Sequence, residues 1–205
     1  MITLHHLRIG RSLFTAWLLE EVGAEYQLEV YHRDPATMRA PAALREIHPL
    51  GKSPVIEDED LTLTESNVIT AYMLEKFDQQ HALHPDRSDL TRWAQYQQWL
   101  AYPEGSVFAP LLLKMLTLRS GVEHPVISPF SDIEIKLHFD HIAQQLGDND
   151  YILGDQFSGA DFGICYVVSM AQRLGQLKPY PTLQAYLQRC MNRPAFVRAV
   201  ERAVE

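Results

Sequence analysis

The chain has 205 residues, enough for one large domain or two small ones with a buried core. Hydrophobic residues make up 46% and charged residues 21%, as in an ordinary globular protein. The net charge of −8 argues against a nucleic-acid partner, because phosphate backbones are met by clustered Lys and Arg.

No uncharged apolar run reaches membrane-spanning length, and no signal-peptide core opens the chain. Cys165 and Cys190 both lie in helical apolar patterns and read as two reduced core thiols. A cytoplasmic protein with no membrane partner is expected.

Ile2–Leu7 alternates as a short strand. Gly10-Arg11-Ser12 then turns into a helix whose expected inner face is Leu13, Ala16, Trp17 and Val22, with Gly23 placed to end it. Tyr26–Tyr31 alternates again, and a β-α-β opening of this kind requires a right-handed crossover and a parallel strand pair. Residues 33–46 are polar with two prolines and predict a loop, with one short helix near Ala42–Ile47.

His48-Pro49-Leu50-Gly51 is turn punctuation before Pro54, which stands at the mouth of the apolar run Val55-Ile56. Proline at the first position of a strand gives up an N–H that the ladder can spare. With a cis bond before it, the backbone of Ser53 would turn outward and pair with an extended peptide. Leu61–Leu63 forms the hairpin partner across the acidic turn Glu57–Asp60.

Thr64-Glu65-Ser66 leads into Val68, Ile69, Tyr72 and Met73 at helical spacing. A helix that starts at a strand end offers N–H groups and positive dipole to a carboxylate. Glu65 is placed to take the ammonium of the same ligand. A sheet edge that pairs with a peptide, beside a seat for an amino-acid head group, suits a small γ-linked peptide. The predicted order is β-α-β-α-β-β-α over residues 1–78, a thioredoxin-like α/β layout.

The polar stretch Asp78–Asp89 contains Pro85 and supplies the linker, 79–88. From 89 to 205 an all-α domain of five or six helices is expected. Leu90, Trp93, Ala94, Leu100 and Ala101 open a long helix with Pro103 and Pro110 as kink positions. Ile133–Leu146 repeats the period through Ile135, Phe139, Ile142 and Leu146. Ser158-Gly159-Ala160-Asp161 is a capping-box variant before Phe162–Ala171, which is apolar almost all round and so a buried helix. Leu183, Tyr186, Leu187, Cys190 and Met191 form another stripe, and Arg193-Pro194 starts a last short helix.

The ordered set Pro49-Leu50-Gly51-Lys52, Pro54-Val55-Ile56, an acidic turn, then Leu63, Glu65-Ser66, Ile69 and Tyr72 resembles the glutathione-binding half of the glutathione S-transferase superfamily. Phe157–Asp161 is similar to that superfamily's buried helix-start motif, and Pro181 through Arg193-Pro194 to its penultimate helix. Trp99–Leu113 resembles a bacterial and fungal branch. The resemblance covers nearly the whole chain. It implies a glutathione transferase that joins the glutathione thiolate to a small hydrophobic electrophile seated against the helical domain. Glutathione would be the co-substrate, no other cofactor or metal would be needed, and the assembly would be a homodimer. The alternative is a non-catalytic binding or regulatory module that keeps the fold.

The chemistry turns on the thiol. A cysteine thiol near pKa ~8.5 is mostly protonated at neutral pH, and lowering it by roughly two units takes about 2.7 kcal/mol of thiolate stabilisation. Relatives carry Ser-Arg-Ser after the first strand, the first serine facing the sulfur. Here the stretch is Gly10-Arg11-Ser12, and the matching position has no side chain. A helix N-terminus supplies about 0.3–1 kcal/mol, rising to ~2 when partly buried, which falls short. Weak aryl transfer is therefore expected, and a serine at position 10 is expected to lower the thiol pKa.

Ser12 is the nearest remaining hydroxyl and the candidate sulfur donor, although two helical residues rotate it by about 200° and an N-cap role is the alternative. Arg11 is a candidate for a ligand carboxylate or the thiolate, or else a solvated helix-start cation. Lys52 resembles the residue that pairs with the glycyl carboxylate, with a plain surface lysine as the alternative. Ser53 and Pro54 form the peptide-pairing edge, and Glu65 and Ser66 the γ-glutamyl seat. His138 and His141 sit three apart on a helix without a third metal ligand, and one ring of the His5-His6 pair must face inward. Tyr96, Trp99, Tyr102 and Phe108 read first as core, with one or two available to line an electrophile pocket. Glu104 is placed to meet either ligand or subunit partner.

Overall fold

A computed structural model describes residues 1–204, and the chain divides into two compact units: Met1–Gln80 together with the residues from Met191 on, and His81–Cys190. The first unit runs β1 (Ile2–Leu7), α1 (Ser12–Glu21), β2 (Tyr26–Tyr31), α2 (Ala43–Ile47), β3 (Val55–Asp58), β4 (Leu61–Leu63), α3 (Ser66–Phe77) and, from the far end of the chain, α9 (Pro194–Ala203). The sheet order is β2-β1-β3-β4. β1 and β2 are parallel, β3 runs against β1, and β4 runs against β3. This is the thioredoxin-like arrangement expected from the strand and helix order.

Alternation decides which side chains meet. Leu4 pairs in register with Leu28 and Ile56, and Leu4 and Ile56 are fully buried. Asp58, in β3, is buried and receives a hydrogen bond from Tyr72 at 2.8 Å and an ion pair from Lys76, both on α3. The Lys76 bond holds the Asp58 carboxyl below its usual pKa, against the upward push of burial. This polar clamp fixes α3 on the sheet.

Helix α1 departs from the single inner face expected of it. Ser12 and Phe14 through Leu19 are all buried, whereas Leu13 is only half-buried. The reason is α9. The Phe196 ring stands edge-on to Trp17 at 5.2 Å and lies 6.2 Å from Phe14. Around these rings, Arg193 pairs with Glu21, and Arg198 and Arg202 reach Glu20 at 2.9 and 2.8 Å. Burial raises the Glu20 carboxyl, but the bonds from Arg198, Arg202 and Tyr26 outweigh it and leave the pKa low. The sequence pattern grouped this last helix with the span 89–205; its contacts within the first unit are with α1 and β2.

The second unit contains α4 (Leu90–Tyr102), a π-helical turn (Pro103–Val107), α5 (Phe108–Ser120), α6 (Ile127–Leu146), α7 (Gly159–Arg173) and α8 (Pro181–Met191). The π turn realises the break expected at Pro103, because proline cannot donate to the preceding turn. A side chain at position 163 would put its Cβ 2.9 Å from Pro103 Cγ, so glycine lets α7 pass close to this turn. On α4 the buried residues are Tyr96, Trp99 and Leu100, while Leu90 is 70% exposed and Ala94 and Ala101 are exposed too. The aromatic residues take the inward side because they bury far more apolar area than alanine.

Helix α6 starts earlier than the expected Ile133 and buries the expected stripe of Ile135, Phe139, Ile142 and Leu146. Asp161 in α7 is fully buried and accepts the Ser158 N–H at 2.8 Å, the Ile152 N–H at 3.0 Å and the Tyr186 hydroxyl at 2.8 Å. Burial raises its pKa against the pull of these bonds. Cys165 and Cys190 are free and buried, and burial pushes the Cys165 thiol well up. They are inert core thiols.

Candidate functional site

Three chain segments converge at one end of the sheet, where β1 finishes and β3 begins, for a topological reason. α1 leaves from the C-terminal end of β1. β3 runs against β1, so the start of β3 lies beside that end, with Val55 opposite His5. β4 runs against β3, so Thr64–Ser66 emerges at the same end. The turn at Gly10–Ser12, the segment Lys52–Pro54 and the pair Glu65-Ser66 are thereby brought together.

The Ser53–Pro54 bond is cis. The Ser53 hydroxyl donates to His5 O at 2.7 Å and accepts the Leu7 N–H at 3.1 Å, tying this segment to the end of β1. Among the described residues, no hydrogen bond uses the backbone N–H or C=O of Ser53. That is an unpaired edge for an extended peptide. Pro54 is buried and Lys52 exposed, and Lys52 makes no hydrogen bond or ion pair among the described residues.

At the start of α3, Glu65 has φ 68° and ψ 110°, outside the ordinary regions for a residue with a Cβ, and its side chain is exposed. Its carbonyl already accepts the Ile69 N–H at 2.9 Å, so the residue acts as the helix cap through its backbone alone. The neighbouring Ser66 hydroxyl is buried without a hydrogen-bond partner among the described residues. An orphaned buried hydroxyl beside the free first-turn N–H groups of a helix is an arrangement completed by a polar ligand. The registers of β1, β3 and β4 bring Ser53, Pro54, Glu65 and Ser66, with Lys52, to the same end of the sheet.

Ser12 does not join them. It is 1% exposed, and its hydroxyl accepts the Leu7 N–H at 3.1 Å and lies 2.9 Å from His6 Nδ1 and 3.3 Å from Leu7 O. The rotation of about 200° from position 10 carries it into the core, where it locks β1 to α1. Nor is it the N-cap: Arg11 holds that position with φ −70°, and its side chain makes no capping bond. Arg11 is half-buried at the same turn as Gly10.

Arg33, which the sequence left inside a polar loop, is the residue the pattern missed. Its guanidinium donates to Arg8 O at 3.1 Å, Ile9 O at 3.0 Å and Met38 O at 3.1 Å. A Cβ built on Gly10 would lie 3.2 Å from Arg33 Nη2 and 3.0 Å from Leu7 O. The arginine therefore borders the space that a side chain at position 10 would enter. The one local clue was position, just past the end of β2, at the end of the sheet where the parallel strand β1 also finishes.

Other polar groups are engaged elsewhere. Both rings of the His5-His6 pair are buried, on opposite faces of β1. His5 bonds Tyr31 at 3.0 Å and Glu57 at 2.8 Å, while His6 meets Ser12. Burial and the carboxylates of Glu29, Glu57 and Glu46 push the Tyr31 phenol up. In the second unit, His138 bonds the Tyr102 hydroxyl at 2.7 Å, and His141 stacks on Trp99 at 5.3 Å. Burial lowers the His138 pKa, with Glu134 opposing. Among the described residues no group of three or more His, Cys, Asp or Glu is placed to hold a metal, and no helix is long and apolar enough to cross a membrane. Tyr96 and Trp99 are core, and Tyr102 and Phe108 are half-buried.

An edge of this kind on a thioredoxin-like sheet, joined in one chain to an all-helical unit, defines a glutathione-transferase class of protein. Family comparison agrees: residues 1–75 match the glutathione S-transferase N-terminal domain and residues 132–194 its C-terminal domain. The chain is 30% identical to glutathione S-transferase 3 of Schizosaccharomyces pombe, over 98% of this chain and 88% of that protein. It is 29% identical to glutathione S-transferase 1 of Saccharomyces cerevisiae, over 99% and 95%. The crystal structure of a glutathione S-transferase from Actinobacillus pleuropneumoniae superposes with a TM-score of 0.91 at 31% identity, covering 100% of this chain and 93% of that one. The chain belongs to the glutathione S-transferase family.

Proposed function

We propose that this transferase binds glutathione along the edge formed by Ser53, Pro54, Glu65 and Ser66 and joins its thiolate to a small hydrophobic electrophile. The unpaired backbone of Ser53 takes the cysteinyl segment as an added strand. Glu65 takes the γ-glutamyl ammonium, and the Ser66 hydroxyl with the first-turn N–H groups of α3 takes its carboxylate. Lys52 takes the glycyl carboxylate, a reading supported by its exposed side chain. The thiolate attacks the electrophile directly, the new C–S bond forming as the leaving group departs or as the electron pair moves onto an acceptor atom. No covalent enzyme intermediate, metal or further cofactor is called for.

The observation that carries the reading is the buried, unpartnered Ser66 hydroxyl beside the strained, exposed Glu65. Glu65→Ala is expected to weaken glutathione by about 1.5–3 kcal/mol, the loss of a charged hydrogen bond. Calorimetry that finds an unchanged affinity in a folded variant rejects the placement. The exposed apolar side chains of Val68 and Leu90 support a homodimer that buries the regions Val68–Phe77 and Leu90–Trp99. Light scattering that finds a monomer at micromolar concentration rejects that assembly.

A further inference from the structure

We propose that Arg33 is the sulfur-facing group of this enzyme, its guanidinium supplying from the β2 side the thiolate stabilisation that Gly10 lacks. The inference rests on the glutathione reading above and concerns one atom of that ligand. Its basis is geometric. Arg33 Nη2 lies 3.2 Å from the point where a side chain at position 10 would begin, so the guanidinium edge borders the space that a serine hydroxyl would otherwise enter.

The position is built rather than incidental. Two of the carbonyls that hold the guanidinium, Arg8 O and Ile9 O, belong to the turn between β1 and α1. The third, Met38 O, is presented by a loop that Asp34 organises. The Asp34 carboxylate accepts the Ala36 N–H at 3.1 Å, and the Thr37 N–H and hydroxyl at 2.7 and 2.9 Å. Its main chain pairs with Arg39 and Met38 at 2.9 and 2.7 Å. Ile9 is held at φ 58° and Met38 at φ 58°, conformations that residues with a Cβ rarely adopt, and both carbonyls thereby point at one cation.

Arginine suits the task because it stays charged at every relevant pH and because its planar fork fixes the charge in one place. A cation within a few ångströms lowers the pKa of an acid by about one to three units. With the dipole of α1 added, that covers the two-unit shift that the helix end alone does not reach. On binding, the thiol proton leaves to solvent, and the sulfur stays as the anion between the α1 N-terminus and the guanidinium.

The test compares the native enzyme with Arg33→Gln and Arg33→Lys, using two probes, glutathione and S-methylglutathione. The second has the same tripeptide and no ionisable thiol. The bound thiol is titrated by thiolate ultraviolet absorbance, and both probes are titrated by calorimetry. For Arg33→Gln, the bound-thiol pKa should rise by at least about one unit, a tenfold loss of thiolate at a fixed pH below it. Affinity for S-methylglutathione should hold within about threefold, and Arg33→Lys should recover part of the shift. An unchanged thiol pKa in Arg33→Gln overturns the proposal. So does an equal loss of both probes, since a residue that only braces the turn would weaken the tripeptide as a whole. If the native enzyme binds neither probe, the glutathione site itself is misplaced, and that result is distinct from the other two.

Discussion

Removing the Ser12 hydroxyl separates structure from chemistry at this turn. The hydroxyl satisfies the Leu7 N–H at 3.1 Å and sits 2.9 Å from His6 Nδ1, both inside the core. In Ser12→Ala the Leu7 N–H keeps a second acceptor, Ser53 Oγ at 3.1 Å, so that donor is not orphaned. The loss is then one buried hydrogen bond to a ring nitrogen, about 1–2 kcal/mol of stability. Urea unfolding should show a lower midpoint at constant slope. Turnover of an aryl halide, corrected for the folded fraction, should fall by less than tenfold, or about 1.4 kcal/mol. The opposite pattern refutes the reasoning. If stability is retained while the bound thiol's pKa climbs and turnover collapses, Ser12 faces the sulfur and the junction is drawn wrongly.

Two further predictions follow from the seam between α1 and α9 and from the acid clamps. Phe196→Ala deletes the ring that stands 5.2 Å from Trp17, and it should cost about 3–5 kcal/mol in urea unfolding followed by tryptophan emission; a loss below about 1 kcal/mol would show that the helix end is not part of the first unit's core. Asp58 and Glu20 both have folded pKa values below their usual 3.8 and 4.5, so their contribution is fully present above those values and is lost as pH falls through the folded pKa. Stability should therefore drop below about pH 4, and Asp58→Asn should flatten that drop in acid-titration circular dichroism.

What could be read in advance was what local rules decide. Alternation at Ile2–Leu7 and Tyr26–Tyr31, the turn before Lys52, the proline at the strand mouth and the helix start after Glu65 each carry their signal within a few residues. What escaped needs distant partners. The 3.6 period gives the angle between Leu13 and Trp17 but not which neighbours wait on each side, so the far face of α1 stayed hidden until α9 was seen against it. The inward aim of Ser12 is fixed by His6 and Leu7, and the position of Arg33 by carbonyls from two separate turns. No periodicity in the polar stretch 33–46 announces a cation with a structural address. Of the non-glycine residues at positive φ, Ile9 and Met38 present carbonyls to Arg33 and Glu65 opens α3 beside the proposed ligand, where strain is retained when function requires it, whereas Glu59, His81 and Val204 lie elsewhere.

Restoring the serine at position 10 looks from the sequence like a repair, and the structure predicts otherwise. A Cβ there meets Leu7 O at 3.0 Å and Arg33 Nη2 at 3.2 Å, and the first of these is backbone that cannot swing away. The turn or the guanidinium must give by a few tenths of an ångström, at a cost of up to about 1–3 kcal/mol, the usual range for overpacking. If the arginine is displaced, the sulfur exchanges a fixed charge for a neutral hydroxyl donor, and neutral donors are the weaker partners for an anion. Gly10→Ser should therefore be less stable than the native chain, with a bound-thiol pKa equal or higher and turnover no better. In Arg33→Gln, where the charge is already gone, the same serine should lower the pKa instead. Thiolate absorbance titrated in the two single variants and the double variant reads that reversal directly. If Gly10→Ser lowers the thiol pKa as strongly with Arg33 present as with it removed, the two groups do not share a site, and glycine at position 10 is a simple loss of function rather than half of a substitution pair.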